Sequence, residues 1–77
     1  MKLPRDISAS ELIKILSKYG YQVSRQRGSH IRLTRITDKA VHNITIPNHN
    51  PIKIGTLSGI LNDICSHLNI SKEELLS

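Results

Sequence analysis

The stretch YQVSRQRGSHIRLTRITDKAVHNITI, residues 21–46, decides the fold. Its apolar residues alternate in three short runs: Tyr21 and Val23, then Ile31 and Leu33, then Ile44 and Ile46. Successive side chains of a strand point to opposite faces, so each run predicts a strand with one apolar face, and the three together predict an antiparallel sheet. Matching the faces sets the turns. A Gly28-Ser29 turn would place Arg27 opposite His30 and Val23 opposite Thr34, mixing apolar and polar sides. A loop of Arg27-Gly28-Ser29 instead pairs Gln26 with His30, Ser24 with Arg32 and Val23 with Leu33, and is the expected register. A loop over residues 37–40 pairs Ile36 with Val41, Arg32 with Thr45 and Leu33 with Ile44. The apolar face then carries Tyr21, Val23, Ile31, Leu33, Ile44 and Ile46. The opposite face carries Gln22, Ser24, Gln26, His30, Arg32, Thr34, Asn43 and Thr45, a set too polar to be core. Helices are therefore expected on the apolar side alone, leaving His30 on an open surface beside Arg32 and Gln26.

Working outward, Ser8-x-x-Glu11 is a capping box that starts a helix. Leu12, Ile15, Leu16 and Tyr19 recur at helical spacing and form its apolar stripe, and Gly20 is placed to cap its C-terminus. After the strands, Pro47 and Pro51 bracket a loop, Asn48-His49-Asn50, that cannot continue a strand. A second helix is expected from near Thr56, with the stripe Leu57, Ile60, Leu61, Ile64, Cys65 and Leu68. Ser71-x-x-Glu74 starts a short C-terminal turn. The order is α-β-β-β-α, an α+β two-layer sandwich forming one domain over residues 1–77. A core this small rarely supplies more than about 3–5 kcal/mol of net stability. Cys65 is the only cysteine, so no disulfide within the chain can add to it. Its place on the second stripe makes it a small buried apolar residue.

The net charge of +5 is concentrated. Lys18, Arg25, Arg27, Arg32, Arg35 and Lys39 are opposed in their window only by Asp38, while charges elsewhere balance. Such a segment suits a surface that meets phosphates. Other classes find no support. No apolar run approaches the roughly 20 residues that span a bilayer, and Lys2, Arg5 and Asp6 stand where a secretory apolar run would lie. The expected location is the cytoplasm. His30, His42, His49 and His67 lack zinc-ligand spacing, so no metal site is expected. No Gly-rich phosphate loop, paired carboxylates or activated cysteine is present, and no cofactor is expected.

What remains is an exposed histidine among cations. Imidazole ordinarily titrates near pH 6.5 and can take a proton from a hydroxyl at neutral pH. RNA carries its own nucleophile, the 2′-OH. Cleavage then needs a base, a counter-charge for the developing phosphorane and a proton for the leaving 5′ oxygen. His30 fits the base, and Arg32 or Arg27 the counter-charge, because a guanidinium can bind two phosphate oxygens together. The acid is left open between a second histidine such as His49 and water. A non-catalytic sheet that only holds RNA would use the same residues, and a protein-interaction domain would use the same basic face.

The chain also resembles the HicA toxins of HicA–HicB toxin–antitoxin modules. The resemblance begins at Leu3-Pro4-Arg5-Asp6 with Ser8 and runs through Arg25-Gln26-Arg27-Gly28-Ser29-His30. It resumes at His49 with Lys53-x-Gly55-Thr56-Leu57-x-x-Ile60-Leu61 and ends in Ile70-Ser71-x-Glu73-Glu74-Leu75. It implies a double-stranded-RNA-binding-domain-like fold and metal-independent endoribonuclease cleavage of mRNA by the histidine of Gly-Ser-His, here His30. It also implies a HicB-like antitoxin that covers the active site. The RNA contacts expected with His30 are Arg25, Arg27, Gly28, Ser29, Arg32 and Lys53. Two positions depart from the family's pattern: Ile31 stands where many members have a second histidine, and Ser58 where many have a basic residue.

The concentrated charge predicts RNA binding that weakens steeply with salt, with a slope of about −0.7 in log–log terms for each single-strand phosphate neutralised. Charge reversal at Arg25 or Arg32 is expected to weaken binding and flatten that slope; a parent slope of zero would remove the electrostatic argument.

Overall fold

Helix α1 (Ala9–Ser17) starts where its capping box places it. The Ser8 Oγ accepts from the Glu11 backbone N–H at 3.2 Å, and the Ser8 N–H donates back to Glu11 Oε1 at 3.2 Å. The computed structural model describes residues 6–77, so Leu3, Pro4 and Arg5 of the first resemblance block lie outside the described residues. Leu12 and Leu16 are fully buried, while Ile15 and Tyr19 flank the core. The chain leaves the helix through a Schellman closure, with Gly20 N–H donating to Ser17 O and Tyr21 N–H to Leu16 O, both at 3.2 Å. Gly20 takes φ +91°, which a Cβ would resist.

Three antiparallel strands follow, β1 (Gln22–Arg27), β2 (His30–Ile36) and β3 (Val41–Pro47), in the order β1-β2-β3. The β2–β3 register agrees with the expectation: Ile36 lies opposite Val41, Leu33 opposite Ile44 and Arg32 opposite Thr45. The β1–β2 register does not. Val23 pairs with Leu33 as expected, but beyond it Arg25 pairs with Arg32, Gln26 with Ile31 and Arg27 with His30. The turn is therefore Gly28-Ser29 alone, and a β-bulge between Val23 and Arg25 absorbs the extra residue, Ser24. One strand thus holds two registers, each correct over half its length. Gly28 has φ +59° and Ser29 does not share it, matching hairpin turns whose first central residue needs positive φ. Val23 is half exposed rather than core, because β1 is an edge strand whose residues are all exposed.

Helix α2 (Ile54–Leu68) begins two residues before Thr56. Its Lys53 N-cap makes no side-chain capping bond, so no residue type marks the start. It ends at Asn69 in the left-handed region, and Ser71 then caps the short α3 (Lys72–Leu76) by accepting from Glu74 N–H. The helices cover one side of the sheet, where Leu33, Ile46, Leu57, Leu61, Ile64 and Leu75 are fully buried. Cys65 is half-buried at the edge of this cluster rather than within it. The β3–α2 loop is clamped by backbone bonds: Ile52 N–H donates to Ile7 O at 2.9 Å and Ala9 N–H to His49 O at 3.1 Å.

A Cβ at Gly28 would meet nothing within 4 Å, so substitution there acts on the backbone alone. Gly28→Ala is expected to lower stability by about 1–2 kcal/mol through the left-handed penalty. The urea midpoint should fall with m unchanged; an unchanged midpoint would contradict the turn geometry.

Candidate functional site

The bulge decides which side chains share the open face. With the extra residue at Ser24, Arg25 and Arg27 join His30, Arg32 and Thr45 around one shallow depression. The expected register would have put Arg25 on the apolar side. All five residues are exposed. Among the described residues, none of these guanidiniums is in a salt bridge, and no carboxylate lines the depression. Beside it, a row of hydroxyls crosses the sheet: Ser24 Oγ lies 2.7 Å from Thr34 Oγ1, which donates to Asn43 Oδ1 at 2.7 Å. Gln26, expected on this face, lies opposite the buried Ile31 instead.

A second depression adjoins the first, lined by His30, Thr45, Pro47, His49, Lys53 and Thr56. His30 and Thr45 line both, so the imidazole stands where the two meet. Lys53 is thus brought to His30 from the start of α2. Gly28 and Ser29 line neither; they shape the turn, and the Ser29 carbonyl accepts from Asn48 N–H at 2.6 Å, tying the β3–α2 loop to the hairpin. Thr45, Pro47 and Thr56 were not among the site residues expected from the sequence. Thr45 was signalled by its register opposite Arg32, and Thr56 by its place in the Lys53-x-Gly55-Thr56-Leu57 block. The two departures from the family pattern are also placed. Ile31 is buried under the helices, so a histidine there would not share the open face with His30. Ser58 is half-buried and lines neither depression.

The other two histidines are occupied. His42 Nδ1 lies 2.7 Å from the Tyr21 hydroxyl and Nε2 lies 3.2 Å from Asp63 Oδ1. The His67 ring stacks on His42 with centroids 4.1 Å apart. These contacts join α2 to the end of the sheet far from His30. The buried Tyr21 hydroxyl thereby has the partner that burial demands; burial pushes its pKa up, Arg35 works against that and Asp63 adds to it. Burial likewise raises the Cys65 thiol, opposed by Lys72, away from the reactive thiolate. Among the described residues, no three His, Cys, Asp or Glu side chains gather so as to hold a metal ion, and no helix is long and apolar enough to cross a membrane.

These features define a small α+β domain, α-β-β-β-α with a terminal helical turn, whose sheet face away from the helices gathers Arg25, Arg27 and Arg32 around His30. The family model for the HicA toxin of bacterial toxin–antitoxin matches residues 9–64, from the first helix through most of the second. The chain belongs to that family: it is a toxin of a toxin–antitoxin module, and an antitoxin is its partner. No curated protein and no solved structure matches it significantly.

The His67 ring is held below its usual range by desolvation first, then by His42 and Arg35, with Asp63 opposing. A histidine whose folded pKa lies below its unfolded one binds its proton less readily when folded. Its contribution to stability is therefore fully present above the unfolded value, about 6.5, and is lost as pH falls from there through the lowered folded value. Urea midpoints are expected to fall between pH 7.5 and 5.5, and to fall less in His67→Gln. Equal declines in both proteins would clear this residue of the effect.

Proposed function

We propose that this toxin is a metal-independent endoribonuclease that cleaves mRNA in the cytoplasm, with His30 as the general base. The observation that carries the reading is the position of His30: an exposed imidazole without a hydrogen-bond partner among the described residues, at the junction of two depressions bordered by Arg25, Arg27, Arg32 and Lys53. His30 takes the proton of a 2′-OH, and the resulting oxygen attacks the adjacent phosphorus. The bond from phosphorus to the 5′ oxygen breaks and that oxygen takes up a proton, leaving a 2′,3′-cyclic phosphate and a 5′-hydroxyl end. Arg32 or Arg27, already in place beside His30, offsets the charge that grows on the phosphorane.

Arg25, Arg27 and Arg32 hold the phosphates flanking the cleaved linkage, and Lys53 holds one on the α2 side. Gly28 and Ser29 let the backbone come close to the strand of RNA at the turn. The antitoxin, HicB-like in this reading, inhibits by covering the open sheet face around His30. An acidic surface would dock there fastest, because complementary charge speeds encounter.

His30→Ala separates chemistry from binding. The side chain is exposed, so no core cavity opens. The variant is expected to fold, to bind RNA within a few-fold of the parent and to cleave a plain transcript in EDTA about 10²–10⁴ times more slowly. A variant keeping more than about a tenth of the activity falls outside that range and would overturn the assignment. RNA bound by a parent that leaves it intact would mark a binding module instead.

A further inference from the structure

We propose that His49 is the general acid of this reaction, giving its proton to the 5′ oxygen as that oxygen leaves. The inference rests on the reading of His30 as base. An in-line displacement puts the attacking and leaving oxygens on opposite sides of phosphorus, so base and acid must flank the phosphate. His30 and His49 line one depression, with Lys53 and Thr56 on its wall to hold a phosphate between them.

Other proton donors are otherwise engaged or poorly suited. His42 has both ring nitrogens occupied and His67 is stacked on it at the far end of the sheet. The Tyr21 hydroxyl is held by His42, and that of Tyr19 donates to Glu74 O. A lysine ordinarily keeps its proton far above neutrality, whereas imidazole can give and regain one at working pH. Among the described residues the His49 ring makes no hydrogen bond, and it is exposed.

Although it sits in a loop, His49 is fixed by its backbone. Its N–H donates to Pro47 O at 2.9 Å, and Pro47 lies opposite His30 in the ladder. Its carbonyl accepts from Ala9 N–H, an otherwise unpaired donor at the start of α1, at 3.1 Å. The preceding residue, Asn48, donates to Ser29 O beside His30 at 2.6 Å. The two imidazoles are thus carried on backbone segments bonded to each other, as catalytic preorganisation requires. The proton balance closes: His30 gains the 2′-OH proton, His49 loses one to the 5′ oxygen, and solvent restores both.

The test replaces the leaving oxygen. In an RNA oligonucleotide with sulfur at one 5′-bridging position, the departing thiolate needs no proton. His49→Ala is expected to cut ordinary RNA about 10²–10⁴ times more slowly, yet to cut the sulfur-bridged linkage within about tenfold of the parent. His30→Ala should be slow on both substrates. His49→Gln, which keeps the side-chain bulk, should behave as His49→Ala, with urea midpoints matching the parent. Near-parental cleavage of ordinary RNA by either His49 variant, or equal losses on both substrates, would overturn the role of His49 while leaving the ribonuclease reading intact. Sulfur rescue of His30→Ala in place of the His49 variants would reverse the two roles. A parent inactive on both substrates would overturn the ribonuclease reading itself.

Discussion

Strand β2 must serve two surfaces at once. Ile31 and Leu33 drive into the layer beneath the helices, while His30, Arg32 and Thr34 alternate with them on the uncovered side. The pleat makes these two placements one placement, because a strand cannot turn one set of side chains without turning the other. In a core this small, Leu33 at full burial does as much to aim His30 as any contact His30 makes itself. The pleat thus holds the open face in place together with the Ser24–Thr34–Asn43 hydrogen bonds, and among the described residues the guanidiniums beside His30 form no salt bridge.

The histidines divide along the same line. His42 and His67 lie on the helix side and tie α2 to the sheet through Tyr21 and Asp63. His30 and His49 face outward. Both pairs lie in a chain of the HicA toxin family, whose partner is an antitoxin.

How much of this the sequence revealed depended on whether one local pattern governed the feature. Alternation in β2 and β3 was unbroken, so the faces, the loop over residues 37–40 and the pairing of Leu33 with Ile44 could all be read directly. The β1–β2 hairpin could not, because two registers compete there and a single one was assumed. Val23 pairing with Leu33 was right and Ser24 pairing with Arg32 was wrong, and only a bulge satisfies both the turn and the core. Nothing about a serine announces that role. The partners of His42 were hidden for a different reason: they come from a residue before the sheet and another on α2, which only the packed fold brings together. The same holds for His49, whose approach to His30 depends on backbone bonds to Ser29 and Ala9 that side-chain type does not encode.

Ser24 makes β1 one residue longer than its ladder requires. A chain without it could pair Val23 with Leu33 and Arg25 with Arg32 in unbroken succession, and each side chain between the cut and the turn would keep its side. Arg25 and Arg27 would stay beside His30, and Gln26 would stay opposite Ile31. What would go is the hydroxyl that meets Thr34 and the local bend that a bulge gives its strand. In this hairpin the side on which the charges stand is therefore anchored from both ends, by the turn and by Val23, and Ser24 is spare length between two fixed points.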